Sequence, residues 1–137
     1  MKRVLTVILT TIMLFAMGAT AFADDYGVAP CYNNIVSTDT RLTIDSNGLA
    51  KISLSYVGYD NYTTGATITY KLQKKTWWWW NDVGGASWTE ETTEASYTKT
   101  RNYQLSAGGT YQLVYEYVIR GTSADNDVVS GTTEASY

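Results

Sequence analysis

The stretch "LAKISLSYV", residues 49–57, decides the fold class because its apolar and polar side chains alternate without interruption. Successive side chains of a β-strand point to opposite faces, so this alternation is typical of a strand with one buried face. Ala50, Ile52, Leu54 and Tyr56 are predicted to face the core, and the serines and the lysine between them to face away. The stretch therefore predicts a β-strand.

The same period of two recurs on both sides of this strand. Residues 45–48, "DSNG", precede it, and their Asn-Gly pair suits a tight hairpin with positive φ at both central positions. Inward positions of the remaining clear strands are Leu42 and Ile44, then Ala66, Ile68, Tyr70 and Leu72, then Tyr111, Leu113, Tyr115, Tyr117 and Ile119. Residues 96–105 and 127–136 predict weaker, half-exposed strands. About seven short strands with turn signals between them predict an all-β fold, an antiparallel β-sandwich.

The segment from Leu105 to Tyr111 resembles the tyrosine corner of immunoglobulin-like domains. Leu105 is followed by a glycine-containing turn, and Tyr111 opens the next strand. The resemblance implies that the Tyr111 hydroxyl bonds to backbone upstream of it, within an immunoglobulin-like sandwich over residues 35–137. The chain has one cysteine, so Leu54 and Leu113 stand where such domains carry their disulfide.

Four segments together resemble a family of small exported bacterial proteins with one immunoglobulin-like sandwich. They are "LTIDSNGLAKISLSYVGY", "ITYKLQKK", a following hairpin with tryptophan and "YQLSAGGTYQLVYEYVI", which cover most of residues 41–119. The resemblance implies no catalytic residues. The family pattern has one tryptophan after a polar turn, whereas this chain has a run of four.

The first 23 residues are predicted to be a helical signal peptide. Lys2 and Arg3 precede an apolar run over residues 4–17, and "AFA" at residues 21–23 is a small-x-small site, so we expect cleavage after Ala23 and a secreted or surface-located protein. The apolar run is short for a membrane span, and none is expected in the mature chain. Residues 24–34 are expected to be a flexible segment before the sandwich.

Charge and composition exclude several kinds of function. Without Lys2 and Arg3, the mature chain has 8 basic and 13 acidic residues, a net charge of −5. Such a chain is a poor nucleic-acid binder, because phosphate contacts need Lys or Arg, and it has no polybasic patch that would by itself hold it on anionic lipid. Cys31 is expected to be a small apolar residue, with an intermolecular disulfide as the alternative.

No conventional catalytic or metal site is evident. The sequence has no histidine, which removes triad chemistry and the commonest metal ligand. Glu90, Glu91 and Glu94 are expected on a solvated hairpin arm, and Glu116 on the surface. Residues 125–127, "DND", offer too few oxygens for calcium and are interpreted as a polar turn. We expect no enzymatic activity, no cofactor and no metal.

The unusual feature is the tetrad Trp77–Trp80, followed by "NDVGG" at residues 81–85 and by Trp88. Extending the parity of residues 68–72 predicts Trp78 and Trp80 inward, with Trp77 and Trp79 outward. The segment "NDVGG" is expected to turn the chain, so that Trp88 returns beside the tetrad and stacks on it.

Three interpretations of the tetrad remain open. The rings pack the core, or they form a stacking platform for a glycan with Gln73, Thr76, Asn81 and Asp82 binding hydroxyls, or they contact a membrane or another protein beside Lys74 and Lys75. The ligand-binding set is predicted to be Trp77, Trp79, Trp88, Asn81 and Asp82, with a glycan or surface protein as partner. The alternative is a structural or self-associating surface protein.

Overall fold

A computed structural model describes residues 32–123 and 125–137 of the chain, and this part is all-β. The strands are β1 (Ile35–Ile44), β2 (Leu49–Gly58), β3 (Thr63–Thr76), β4 (Trp79–Thr92), β5 (Ser96–Gln104), β6 (Thr110–Gly121) and β7 (Asp127–Ser136). They form a three-stranded sheet in the order β1-β2-β5 and a four-stranded sheet in the order β4-β3-β6-β7. Neighbouring strands are antiparallel. The predicted antiparallel β-sandwich of seven strands is confirmed. The signal peptide, residues 24–31 and Cys31 lie outside the described residues.

The core consists of the side chains that the alternation placed inward. On β2, Ala50, Ile52, Leu54 and Tyr56 are each at most 1% exposed. The equivalent positions of β3 and β6 are also buried: Ala66, Ile68, Tyr70, Leu72, Tyr111, Leu113, Tyr117 and Ile119. Tyr115 is half-buried, and its ring lies over Gly131 of β7, where an added Cβ would meet the Tyr115 hydroxyl at 2.6 Å.

The start of β6 is held by the Tyr111 ring. Tyr111 is buried, and its hydroxyl donates a hydrogen bond to the carbonyl of Ala107 in the preceding turn. Two residues further on, Leu113 is buried in the same core cluster as Leu54 of β2. The hydroxyl thus satisfies a turn carbonyl while the ring remains in the core.

Contacts with the sandwich begin just before β1, at Asn33 and Asn34. The backbone N–H groups of these residues donate to the Asp127 carboxylate, at 3.1 and 2.6 Å. The Asn34 side chain is buried against Gly121, where a Cβ would lie 1.8 Å from its Oδ1 atom. Asp127 is therefore a buried anchor for the first strand.

Candidate functional site at the β3–β4 hairpin

The β3–β4 hairpin turns at Trp77 and Trp78. Thr76 pairs with Trp79, so these two tryptophans alone connect the strands. The expected turn at residues 81–85 is wrong. Residues 83–86 instead form a wide bulge in β4 opposite Leu72. The bulge buries Ala86 and offers the Gly84 carbonyl to the Tyr103 hydroxyl at 2.8 Å, contacts that link β4 to the other sheet.

The turn forces Trp77 into an unfavourable backbone conformation. The favoured two-residue hairpin turns take positive φ at the first central position, usually with glycine or asparagine there. Trp77 holds that position with a φ of 58°. Left-handed backbone costs a residue with a Cβ about 1–2 kcal/mol. Because the Trp77 side chain is 85% exposed, packing within the described residues does little to offset this cost.

The exposed tryptophans differ from the predicted set. Trp77, Trp78 and Trp79 are 85%, 86% and 74% exposed, and only Trp80 is half-buried. The inward prediction for Trp78 is wrong because this residue lies in the turn. Trp80 pairs with Lys75, so the Trp80 side chain lies on the outer face of the sheet. Trp79 pairs with Thr76, so the Trp79 side chain points to the inner face, but at a position past the end of the core. The two-residue turn therefore reverses the inward and outward assignment that was predicted for Trp79 and Trp80 from residues 68–72.

The exposed rings sit on a projection. The last pair between β3 and β6 is Lys74 with Tyr111, so beyond this point β3 is paired with β4 alone. At about 3.3 Å per residue, Lys75, Thr76 and the turn extend on the order of 7–10 Å past the last pair between β3 and β6. The three most exposed tryptophans thus form one apolar end, called here the aromatic tip and defined as Trp77, Trp78 and Trp79.

Two lysines stand directly behind the aromatic tip. Lys75 Nζ lies 5.5 Å from the centre of the Trp80 ring, and Lys74 Nζ lies 5.6 Å from that of Tyr111, both within cation–π range. Neither ammonium group forms an ion pair within residues 32–123 and 125–137. The region behind the tip therefore carries two positive charges that no carboxylate of the described chain neutralises at close range.

Asp82, a predicted ligand-binding residue, is already engaged by its neighbours. Its carboxylate accepts hydrogen bonds from Gln73 Nε2 at 2.7 Å and from Lys71 Nζ at 3.0 Å. The hydrogen bond from Gln73, followed by that from Lys71, holds the pKa of Asp82 below its usual value. Asn81 lies on the other face, beside a cleft of about 340 Å³ that is also lined by Lys74, Tyr103 and Tyr111.

Trp88 is separate from the tetrad, so the expected stacking on it is wrong. Its cross-strand partner is Tyr70, with ring centres 5.3 Å apart, and Tyr103 of β5 meets it edge-on at 5.6 Å. The Arg101 guanidinium lies over the Trp88 ring, 5.2 Å from its centre. Trp88 therefore gives no support to the aromatic tip. It packs in the seam between edge strands β4 and β5, a name used here for the side chains of Tyr70, Trp88, Glu90, Arg101 and Tyr103.

Glu90 lies in this same seam and not on a solvated arm. Its carboxylate, 14% exposed, accepts hydrogen bonds from Arg101 and the Tyr70 hydroxyl at 2.8 and 2.9 Å, with Lys99 at 3.8 Å. Burial alone would raise the pKa of Glu90, but these donors and charges outweigh it and lower the pKa. Burial, above all, raises the pKa of Tyr70 to about 12. Glu91, Glu94 and Glu116 are exposed, as expected.

Sequence reasoning missed Trp78 and the seam for identifiable reasons. No glycine or asparagine marks residues 77 and 78 as a turn, whereas "NDVGG" carries strong turn residues and proves to be a bulge. The seam joins residues far apart in sequence. Within the described ranges, no group of three potential metal ligands occurs, and no helix is long and apolar enough to cross a membrane.

No protein-family model matches the chain. No curated protein matches it at a significant level either.

Proposed function

We propose that this protein is an exported, non-enzymatic binding protein that contacts a ligand outside the cell through the aromatic tip. One observation carries the proposal. Three consecutive tryptophans are at least 74% exposed on a projecting hairpin, and one of them occupies strained backbone. Exposed apolar groups and local backbone strain that do not stabilise the fold are typical of sites that contact a ligand or partner.

The size of the exposed surface supports this function. A tryptophan side chain can bury about 200 Å², so the tip offers on the order of 600 Å² of amphipathic surface. At about 25 cal/mol per Å², leaving one ring in water forgoes up to about 5 kcal/mol of transfer free energy. Packing this surface against the sandwich would have stabilised the fold. Its exposure favours a role in contact over a role in stability.

The strand order supports the finer proposal of an immunoglobulin-like sandwich. The order β1-β2-β5 corresponds to strands A, B and E of such domains, and β3-β6-β7 corresponds to C, F and G, with β4 as an added strand beside C. The bond from Tyr111 to Ala107 matches a tyrosine corner. With the predicted signal peptide, this supports the proposed kinship with small exported bacterial proteins of this type.

The non-enzymatic part of the proposal rests on the state of the carboxylates. Glu90, the acidic side chain that combines burial with a lowered pKa, is saturated by Arg101, Tyr70 and Lys99. A general acid needs a raised pKa and access to substrate, and Glu90 has neither. Its arrangement supports a structural role at the seam.

The test is a binding panel with three forms of the protein, each recovered after export. They are the wild type, the tip variant Trp77→Ala/Trp78→Ala/Trp79→Ala, and Tyr62→Ala. Tyr62 is a matched control, because it is 61% exposed and precedes β3 at the end opposite the tip. The panel holds chitin, cellulose, peptidoglycan, mucin and lipid vesicles.

We expect the wild type and Tyr62→Ala to bind the same member of the panel, and the tip variant to bind it at least tenfold more weakly. Circular dichroism and urea unfolding establish that the tip variant is folded. Equal binding by all three proteins, or binding by none, contradicts the proposed function.

A further inference from the structure

We infer that the partner of the aromatic tip is the headgroup region of a lipid bilayer, which the tip enters without spanning the membrane. The inference rests on the proposed function and names the surface that the tip contacts. It follows from the shape of the tip, the chemistry of its neighbours and the position of its lysines.

The shape suits shallow insertion. Amphipathic structures at a bilayer surface bury their apolar groups about 5–10 Å into the boundary between headgroups and acyl chains. The hairpin beyond the last pair between β3 and β6, on the order of 7–10 Å long at about 3.3 Å per residue, has this length. Cross-strand pairing of Thr76 with Trp79 and of Lys75 with Trp80 satisfies backbone groups that would enter an environment poor in water.

The residue type suits the same boundary. A tryptophan ring has a large apolar body and one N–H donor, and tryptophans are enriched where a membrane meets water. The tip contains three of these side chains and no charged one. The side chains of the tip are therefore of a type that prefers the membrane interface to either bulk water or the hydrocarbon core.

The lysines occupy the level of the phosphates. Lys75 lies two residues before the turn and Lys74 three, and neither forms an ion pair within the described part of the chain. Lysine side chains at this depth extend their ammonium groups to the headgroups while their stems stay in apolar surroundings. The mature chain has a predicted net charge of −5, so a local positive pair at the tip also orients its approach to phosphate.

A glycan fits the tip less well. Sugar rings present hydroxyls around their rim, and a binding site needs several hydrogen-bonding side chains beside the stacking ring. From Thr76 to Trp80, only the Thr76 hydroxyl and the indole N–H groups can hydrogen-bond. The Asn81 amide lies two residues behind the tip, beside the cleft that Lys74 and Tyr103 line. Asp82, the nearest carboxylate along the chain, is occupied by Gln73 and Lys71.

A folded protein partner also fits less well. A standard protein–protein interface buries about 800 Å² on each partner. The tip supplies on the order of 600 Å² even if every ring were fully covered. A bilayer needs no such matching surface, because it deforms around the inserted groups.

The experiment measures flotation with phosphatidylcholine vesicles, with and without phosphatidylglycerol, together with tryptophan fluorescence. The proteins are the wild type, the tip variant and Tyr62→Ala from the binding panel, all recovered after export and matched in N-terminus by mass spectrometry. A shared N-terminus assigns any difference in binding to the substitutions.

We expect the wild type and Tyr62→Ala to float with both kinds of vesicle, and their fluorescence to shift to shorter wavelength as exposed indoles leave water. Burial of half a ring, about 100 Å², corresponds to between tenfold and a hundredfold in the partition constant. The tip variant, which keeps Trp80 and Trp88, should lose at least a hundredfold in binding and show no shift.

Charge reversal tests the role of the lysines. Lys75→Glu should weaken binding to vesicles with phosphatidylglycerol by more than about fivefold, since each basic residue near an anionic surface contributes about that factor. Lys51→Glu makes the same change in net charge on exposed residue 51 of β2, in the other sheet, and should have a smaller effect.

Each outcome decides between the two proposals. Tip-dependent binding to chitin, cellulose, peptidoglycan or mucin, with none to vesicles, overturns the bilayer inference but leaves the proposed function standing. Equal flotation of wild type and tip variant overturns the bilayer inference. Absence of tip-dependent binding to any surface overturns both.

Discussion

Strand β4 carries tryptophans in two opposite situations. At its start, Trp79 belongs to the aromatic tip and is 74% exposed. Nine residues later, Trp88 is packed against Tyr70, Tyr103 and Arg101 in the seam between the sheets. The difference shows that residue type alone does not assign a role, because position relative to the neighbouring strands decides whether a ring has anything to pack against.

The seam also shows how this sandwich closes an open side. Strands β4 and β5 are edges of different sheets, and side chains bridge the gap between them. An ion pair that joins Glu90 to Arg101 lies beside the Trp88 ring, and the Tyr103 hydroxyl bonds to the β4 bulge. The tip has no comparable set of contacts among the described residues. We therefore expect the seam to dominate stability and the tip to dominate binding.

The largest expected effect is on Trp88. Trp88→Ala removes a half-buried ring that three side chains contact, and should lower the free energy of unfolding by about 3 kcal/mol. The matched change on the same strand, Trp79→Ala, should lower it by less than about 1 kcal/mol. Urea unfolding measures both, and equal losses would abolish the distinction between seam and tip.

Glu90→Gln should have the next largest effect. It removes the charge that Arg101 and Lys99 face and should destabilise the protein by about 2 kcal/mol, since the bond from Arg101 is charge-assisted and largely shielded from water. Glu94→Gln is the control, because its carboxylate is exposed. A loss no greater than that of Glu94→Gln would show that the seam network is not stabilising.

Glu90 also predicts the direction of a pH dependence. Its folded pKa is lowered, so its contribution is fully present above the unfolded pKa, about 4.3, and is lost as pH falls through the lower folded pKa. Wild-type stability should therefore decrease in this acidic range more than that of Glu90→Gln. Thermal unfolding across the range measures the difference, and parallel curves would contradict the assignment.

The smallest expected change has the opposite sign. Trp77→Gly relieves the positive φ of 58° and should raise the free energy of unfolding by about 1 kcal/mol, with weaker ligand binding at the same time. Trp78→Gly is the comparison within the same turn and should not stabilise. A decrease in stability for Trp77→Gly would mean that the Trp77 ring does contribute to the fold.

Local patterns allowed most of the fold to be predicted. The alternation at residues 49–57 and 66–72 identified buried positions because a half-buried strand repeats every two residues. The parity of the tetrad failed because a turn of two tryptophans carries no sequence signal, and the bulge at residues 83–86 resembles a turn in composition. The roles of Asp127 and Glu90 could not be predicted, since their partners are distant in sequence.

Equilibrium unfolding of the tip variant tests the central claim most directly. If the aromatic tip exists for contact, replacing its three tryptophans with alanine should leave the free energy of unfolding within about 1 kcal/mol of wild type, because the rings are exposed and alanine keeps the same strain at residue 77. A loss of about 3 kcal/mol or more would place the three rings among the groups that hold the sandwich together, and would contradict the claim.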